Sequence, residues 1–333
     1  MPKSAFSCKS HLAVGCLFAV AAVSAQAQTQ SSINGTGGFV SACAYSNNGS
    51  GFNPGGDLSV LFGSANCKSD IFSGDDSATA SASYLNGTTS NQSQGKVGLG
   101  TLHLSASNSA PNSSHFAAAG ANGGWTETLV ATAANQAGHP GVTVVVALNV
   151  TGSLAAHGFA GASGFQLTGY KDKNQLTIYG LSGLYNYGSQ SNPIGTDRQI
   201  ANWSLSTDFY NGSGQNDASA IINDSVNFAI PVALGQSFSF GVYGYALAGM
   251  RSASGVPGIS TAATDFSHTV TWGGVVGIYD ANGQRLSDVS LTSASGADWT
   301  RSFAAPVPEP DTYAMMLAAL GLLGFQARRK KFV

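Results

Sequence analysis

Side chains that could carry out catalysis are scattered in this chain of 333 residues and form none of the usual patterns. A serine nucleophile on a strand-to-helix elbow needs G-x-S-x-G, and the nearest stretch, residues 161–165, ends in phenylalanine. A zinc hydrolase of the H-E-x-x-H type needs two histidines four residues apart, and no two histidines have that spacing. We therefore predict no catalytic residue, no metal site and no cofactor. The histidines considered are His103, His115, His139, His157 and His268.

Carboxylates offer weaker candidates for acid–base chemistry. Glycoside hydrolysis requires two carboxyl groups at a fixed separation, and Glu127, Asp75 and Asp76 are available for such a pair. Asp265 lies three residues before His268, but that spacing in a strand puts the two side chains on opposite faces. Because a β-fold can assemble a site from distant strands, a secreted glycan-active hydrolase stays a minor alternative.

Residues 280–288 raise the question of a calcium site. Asp280, Asn282 and Asp288 supply oxygen atoms around Gly283. The EF-hand spacing is not met, because the glycine directly follows Asn282 and no glutamate closes the loop. Asn-Gly between two apolar runs is a strong hairpin signal, so the pattern favours a hairpin turn within residues 265–293 over a metal.

A cluster of aromatic and amide residues could bind carbohydrate. Residues 184–192 contain Tyr185 and Tyr187, and Trp203 follows. Aromatic rings can stack on sugar faces while amides bond the hydroxyls, so these three positions offer a possible glycan contact. The favoured interpretation is that both tyrosines share one face at a strand end and that Trp203 packs in the core.

Composition and periodicity predict an all-β body. Residues 28–306 hold eight Lys or Arg against fourteen Asp or Glu, without a basic patch, which excludes a nucleic-acid-binding role. Short alternating or β-branched runs are bounded by turn residues, and no amphipathic helix pattern occurs in the body. We predict an antiparallel β-sandwich or jelly-roll-like fold of about a dozen strands. The predicted strands are residues 77–85, 96–107, 125–133, 142–150, 175–181, 200–210, 225–232 and 237–249.

The N-terminal segment has the three parts of a secretory signal peptide. Lys3 and Lys9 form a basic start, residues 12–23 form an apolar centre, and Ala25 and Ala27 offer small residues for cleavage. We expect the body to lie outside the cytoplasm.

Cysteine usage agrees with export. Cys8 and Cys16 leave with the signal peptide, so the exported chain keeps Cys43 and Cys67. Two cysteines in an oxidising compartment predict one disulfide. Free thiols or half of a metal site are the weaker alternative, because no histidine or further cysteine stands at ligand spacing beside either one.

The C-terminal tail combines a short motif, an apolar run and a basic end. The triplet Pro308, Glu309 and Pro310 precedes a run that begins at Tyr313 and ends at Phe325. This run has 13 residues, whereas a stable membrane-spanning helix needs about 20. The tail is therefore suited to a short transmembrane helix that serves only briefly. The basic residues that follow are Arg328, Arg329, Lys330 and Lys331.

This tail closely resembles the PEP-CTERM sorting signal of Gram-negative bacteria. In that family a signal peptide drives export, and the membrane enzyme exosortase recognises the tail and cuts near the Pro-Glu-Pro motif. The resemblance implies release or transfer to the cell surface or extracellular matrix, with Pro308, Glu309 and Pro310 as the recognition motif. Residues 241–250 and 260–274 also resemble parts of other proteins with this tail, which are often encoded by bacteria that make exopolysaccharide.

We therefore predict a signal peptide (1–27), an all-β extracellular body (28–306) and a sorting signal (307–333). The expected role is structural or adhesive, without enzymatic activity, at the cell surface or in an exopolysaccharide matrix. Signal peptidase, exosortase and, transiently, the inner membrane are the expected partners. A carbohydrate-binding, lectin-like module is the main alternative, and an ice-binding protein is a lesser one because no regular Thr-x-Thr array is present.

Overall fold

The structure is a computed structural model, and it describes most of the predicted body. The chain divides into a compact unit of residues 1–303 and a second unit of residues 304–333. The predicted signal peptide and sorting signal lie outside the described residues. Within the described residues, no helix has the length and apolar character needed to cross a membrane. The described residues are 35–47, 67–74, 76–111, 116–134, 141–158, 161–172, 174–176, 178–179, 186–187, 200–206, 217–251 and 258–303.

Sixteen strands make up the regular structure of the described residues, and they are numbered in chain order. They are β1 (Gly37–Asn47), β2 (Cys67–Ser73), β3 (Ser77–Asn86), β4 (Thr89–Gly98), β5 (Thr101–Pro111), β6 (Phe116–Ala133), β7 (Val142–His157), β8 (Gly161–Lys171), β9 (Asn174–Gln175), β10 (Ile178–Tyr179), β11 (Asn186–Tyr187), β12 (Ile200–Ser206), β13 (Ala218–Val232), β14 (Ser237–Arg251), β15 (Ile259–Tyr279) and β16 (Val289–Ser293).

The strands form two sheets that pack face to face. The first sheet has nine strands in the order β11-β12-β8-β14-β6-β1-β2, with β16 beside β6 and β9 beside β8. The second sheet has seven strands in the order β10-β13-β7-β15-β5-β4-β3. Neighbouring strands run antiparallel except for β11 and β12, which are parallel. The prediction of an antiparallel sandwich-like body is confirmed.

Alternation of side chains explains why these segments form half-buried strands. In β5, Leu102 and Leu104 are buried between the sheets while His103 points away from the core. Aromatic rings fill two parts of the core. Trp125, Trp272 and Trp299 pack together at one place, with ring centroids 4.9 to 6.1 Å apart. Phe165, Phe266 and Trp203 pack at another, where the two phenylalanine rings stack at 3.8 Å.

The structure corrects two predictions about strand connections. Residues 96–107, predicted as one strand, are two strands joined by a tight turn at Gly100, whose φ of +70° glycine adopts without strain. The prediction of a hairpin within residues 265–293 is correct for the turn but wrong for the strand that follows it. The chain reverses at Gly283, but β16 then crosses to the first sheet and pairs with β6 instead of returning along β15.

Candidate functional site

The predicted disulfide is present between Cys43 and Cys67. The two cysteines are 24 residues apart in sequence and lie opposite each other in the register of β1 and β2. The bond therefore ties the edge strand of the first sheet to its neighbour and closes the chain between them into a loop.

Of the three predicted glycan contacts, the structure describes the side chain of Trp203 only. Trp203 is 0% exposed, and its indole N–H donates to the Asp224 carboxylate at 2.9 Å. A ring buried in this way has no face open to a sugar, so the glycan contact predicted for Trp203 is corrected to a core role. Tyr185 lies outside the described residues, as does the side chain of Tyr187, and both contacts stay predictions.

A row of polar side chains, which we call the polar row, crosses the outer face of the first sheet. Register places Gln166 of β8 beside Tyr245 of β14, Tyr245 beside Asn122 of β6, and Asn122 beside Ser41 of β1. Sequence analysis missed this row because its members come from four strands far apart in the chain. Only the strand order brings them together.

Hydrogen bonding in the polar row is incomplete. The Asn122 amide N–H donates to the Tyr243 hydroxyl at 2.8 Å. The amide oxygens of Asn122 and Gln166 are buried without a hydrogen-bond partner, although the two residues are only 2% and 3% exposed. Burial, together with the nearby Tyr243, raises the pKa of Tyr245. The polar row could accept hydroxyl donors chemically, but its burial closes it to an external ligand.

The possible calcium ligand Asp280 serves a turn in the structure. One oxygen of its carboxylate accepts the backbone N–H groups of Asn282 and Gln284 at 2.9 and 2.8 Å. The backbone N–H of Gly283 donates to the Asp280 carbonyl at 3.0 Å. These bonds fix the reversal of the chain, as the hairpin-turn interpretation requires. Among the described residues, no group of three or more His, Cys, Asp or Glu is placed to hold a metal ion.

The segment around Asp265 is a β-bulge, which the assumption of a regular strand could not predict. The register of β15 with β5 shifts between Phe266 and Val270. Asp265 accepts the backbone N–H of Ser267 at 2.9 Å, and His103 bonds the Ser267 carbonyl at 2.7 Å. Bulges occur often beside active sites, but Asp265 here stabilises the bulge backbone. The His268 side chain lies outside the described residues.

Glu127, the candidate glycosidase carboxylate, is buried. One of its oxygens accepts the Thr36 hydroxyl at 2.7 Å and the Thr128 backbone N–H at 2.8 Å. The other oxygen is buried without a hydrogen-bond partner. A carboxylate in this position supports the start of β1 and is not presented to a substrate. The side chain of Asp76 is exposed, and Asp75 lies outside the described residues.

The end of the body is held tightly to the sandwich. Trp299 is buried against Trp125 and Trp272, and the Trp272 indole N–H donates to the Trp299 carbonyl at 2.9 Å. The Phe303 backbone N–H donates to the Trp272 carbonyl at 2.9 Å, and its ring lies 4.9 Å from that of Trp299. The folded body therefore continues in close contact with its own core up to Phe303.

Comparison with known protein families identifies the segment that follows. Residues 306–330 match the PEP-CTERM protein-sorting motif, which confirms the resemblance seen in the tail. The matched region begins three residues after Phe303 and includes the triplet Pro308, Glu309 and Pro310. No curated protein matches the chain. The chain is therefore an exported protein of the cell surface that carries a C-terminal PEP-CTERM sorting motif, the mark of processing by an exosortase.

Proposed function

We propose that the protein is a structural or adhesive component of the cell surface or of an exopolysaccharide matrix. The observation that carries the proposal is the position of the sorting motif directly after an all-β body. Export proceeds across the inner membrane of a Gram-negative bacterium, and signal peptidase removes residues 1–27. Exosortase then cuts near Pro308, Glu309 and Pro310.

Two properties of the body support an extracellular role. The Cys43–Cys67 disulfide is typical of proteins that fold in an oxidising compartment. Charged residues make up only 9% of the chain, so Ser, Thr, Asn and Gln supply most of the polar surface. A sparsely charged polar surface is compatible with close contact to neutral or acidic polysaccharide, because it limits electrostatic repulsion.

The short apolar run of the tail fits a temporary membrane position. The four basic residues from Arg328 to Lys331 favour the cytoplasmic side while the body emerges on the other side. A run of 13 residues is a poor lasting anchor, but local thinning of the bilayer and snorkelling of the basic side chains accommodate it. The segment retains the protein in the membrane until exosortase cuts it.

A role without catalysis is supported by the placement of the candidate acid–base groups. Glu127 is buried, and Asp265 is engaged by the backbone of its own bulge. Glu127 is therefore not presented to a substrate as a glycosidase mechanism requires, and the exposed Asp265 has a structural partner in Ser267.

The sorting role is tested by deleting residues 307–333 in the producing bacterium. We expect the truncated protein to accumulate in the periplasm or medium, while the full chain reaches the cell surface or matrix. Cell fractionation and surface labelling measure the difference. Identical fractionation of the two proteins would refute the sorting role.

A matched pair of substitutions separates motif recognition from membrane retention. Glu309→Ala alters the triplet and leaves the apolar run intact, whereas Asp311→Ala alters the next acidic residue outside the triplet. We expect Glu309→Ala to accumulate uncut in the inner membrane and Asp311→Ala to be processed normally. Equal processing of both variants would exclude the triplet as the recognition motif.

Carbohydrate binding is the second candidate function. The observation that favours it is the position of β11, where Tyr187 pairs with Leu205 at the outer edge of the first sheet. We expect the double variant Tyr185→Ala, Tyr187→Ala to lose retention on the exopolysaccharide of the producing bacterium. Tyr279→Ala, at a turn of the second sheet, is the matched control. Failure of the unaltered protein to bind in this pull-down would eliminate the lectin-like role and leave the sorting role intact.

A further inference from the structure

The edges of the two sheets differ in how they are protected from other strands. In the first sheet, the edge strand β2 carries the exposed charges Lys68 and Asp70. In the second sheet, β13 carries an exposed Pro231 and is partly covered by β10. Charges and proline are the usual means of preventing edge pairing. The opposite edge of the second sheet is β3, and none of these features occurs there.

Strand β3 is long, regular and uncharged. Its ten residues, SATASASYLN, pair with β4 without a register shift, and no other strand pairs with β3 in the part of the chain that the structure describes. Leu85 is 77% exposed, one of few large apolar side chains so placed. An exposed edge strand without charge, proline or bulge is a template for a further strand.

One hydrogen bond shows which backbone groups of β3 face outward. The Thr79 backbone N–H donates to the Asp70 carboxylate at 3.0 Å and therefore points away from β4. Alternation along an antiparallel strand then points the N–H and C=O groups of Ser81, Ser83 and Leu85 the same way. Asp70 thus caps the first part of the edge and leaves the second part open.

We propose that this open part of β3 pairs antiparallel with β3 of a second copy of the chain. The two-fold axis passes beside Ser83, which lies opposite the partner subunit's Ser83. Ser81 then lies opposite the partner subunit's Leu85, and Leu85 lies opposite the partner subunit's Ser81. Each of the three pairs exchanges two backbone hydrogen bonds, which gives six in total. The two second sheets become one continuous sheet of 14 strands, twice the seven present in each chain.

The side chains are compatible with this pairing. On the core side, the small Ala82 lies opposite the partner subunit's Tyr84, so the ring has room. On the outer side, Ser83 lies opposite its own copy and Leu85 becomes partly covered. An interface of this length is small, so we expect weak, reversible association that a high local concentration at the cell surface would promote. The pairing itself is argued from β3 alone. The place of the assembly in a matrix rests on the structural role proposed above.

Cross-linking tests the two-fold register directly, using the exported protein recovered from cells. Opposed residues in a hydrogen-bonded antiparallel pair have Cα atoms about 5.5 Å apart, within the range of a disulfide. We expect Ser83→Cys to form a disulfide-linked dimer under mild oxidation. Gln92→Cys is the matched control. Gln92 lies on β4 opposite Ser83 of β3, is also exposed, and is one strand further from the edge. Equal cross-linking of both variants would overturn the proposed register.

Charge exchange supplies a second test that does not depend on oxidation. Ser83→Lys places two like charges opposite each other, as does Ser83→Glu, so each variant alone should sediment as a monomer. Mixing the two should restore a dimer, because Lys then faces Glu, and this recovery would exclude misfolding as the cause. The unaltered protein should show a concentration-dependent dimer in sedimentation equilibrium. A monomer at every concentration would overturn the proposal, while the fractionation experiment on the tail would still decide the sorting role separately.

Discussion

Asp172 locks two neighbouring strands of the first sheet by its backbone and its side chain together. Its φ of +47° lies in the left-handed region, and its backbone N–H donates to the Ser239 carbonyl at 2.9 Å. The Ser239 backbone N–H donates in turn to the Asp172 carboxylate at 2.8 Å, and Lys171 forms an ion pair with it. Burial raises the pKa of Asp172, but the bonds from Lys171 and Ser239 outweigh it and hold this pKa below its usual value.

We expect Asp172→Asn to lower stability at neutral pH only. A lowered folded-state pKa contributes stability above the unfolded-state pKa of about 3.9, and this contribution is lost as pH falls through the folded-state value. Asparagine tolerates the positive φ and can still accept the Ser239 N–H, so the variant isolates the charge. The side chain is 44% exposed, so water screens the ion pair and we expect a loss of about 0.5 kcal/mol. Urea unfolding at neutral and acid pH measures it, and a loss that persists below the folded pKa would contradict this account.

Trp299 is a fully buried aromatic residue whose removal should cost the body much of its stability. Its ring is buried among Trp125, Trp272 and Phe303, and deletion of a large buried aromatic side chain costs about 3–5 kcal/mol. We expect Trp299→Ala to lower the free energy of unfolding by this amount and Trp299→Phe to cost less. Arg301→Ala is the matched control, because its side chain is 84% exposed two residues away. Similar urea midpoints for Trp299→Ala and Arg301→Ala would contradict the packing described here.

At the scale of single elements, the disulfide stabilises the pairing of β1 with the edge strand β2. Closing a loop of this length stabilises a fold by about 3 kcal/mol in the chain-entropy model. We expect the double variant Cys43→Ser, Cys67→Ser to lose about that much stability and to fray first at β2. Urea unfolding measures the loss, and hydrogen exchange should show faster exchange in β2 while β7 stays protected. Unchanged exchange in β2 would show that pairing with β1 suffices without the bond.

Local periodicity predicted elements well where alternation was strong and failed where long-range pairing decides. The predicted strand 77–85 matches β3 almost to the residue, because small and apolar side chains alternate there. The Asn-Gly turn at Gly283 was correct, but the destination of β16 was not. A local turn signal reports that the chain reverses, whereas the buried Leu291 and the pairing with β6 decide which sheet the next strand joins.

The same limit applies to the candidate sites. The tail motif is contiguous, so the sequence alone was enough to predict it, and the family comparison confirms it. The polar row is discontinuous, and its members Asn122 and Gln166 gave no signal in the sequence. Trp203 carried an ambiguous signal, because an aromatic residue near amides is compatible with a sugar platform or a core. Burial resolved that ambiguity, and only a folded structure supplies it.

At the scale of the whole molecule, the body and the tail have separate roles. Described contacts of the sandwich core extend to Phe303, and the matched sorting motif begins at residue 306. We expect cleavage at the motif to leave these described contacts in place. The segment 294–303, in contrast, covers Trp125 and Trp272 and belongs to the body.

Two truncations test this boundary. A chain ending at Phe303 keeps the described core contacts of Trp299 and Phe303, and we expect it to keep the stability of the full chain because processing at the motif requires a body that stays folded alone. A chain ending at Ser293 loses the ring of Trp299 and the backbone bonds of Phe303, and we expect it to lose at least the 3–5 kcal/mol assigned to a large buried aromatic side chain. Urea unfolding followed by tryptophan fluorescence, to which Trp125, Trp203 and Trp272 contribute in both chains, measures the difference. If the chain ending at Phe303 were destabilised as much as the shorter one, processing at the motif would leave a weakened body, and the tail would have to be counted as part of the fold.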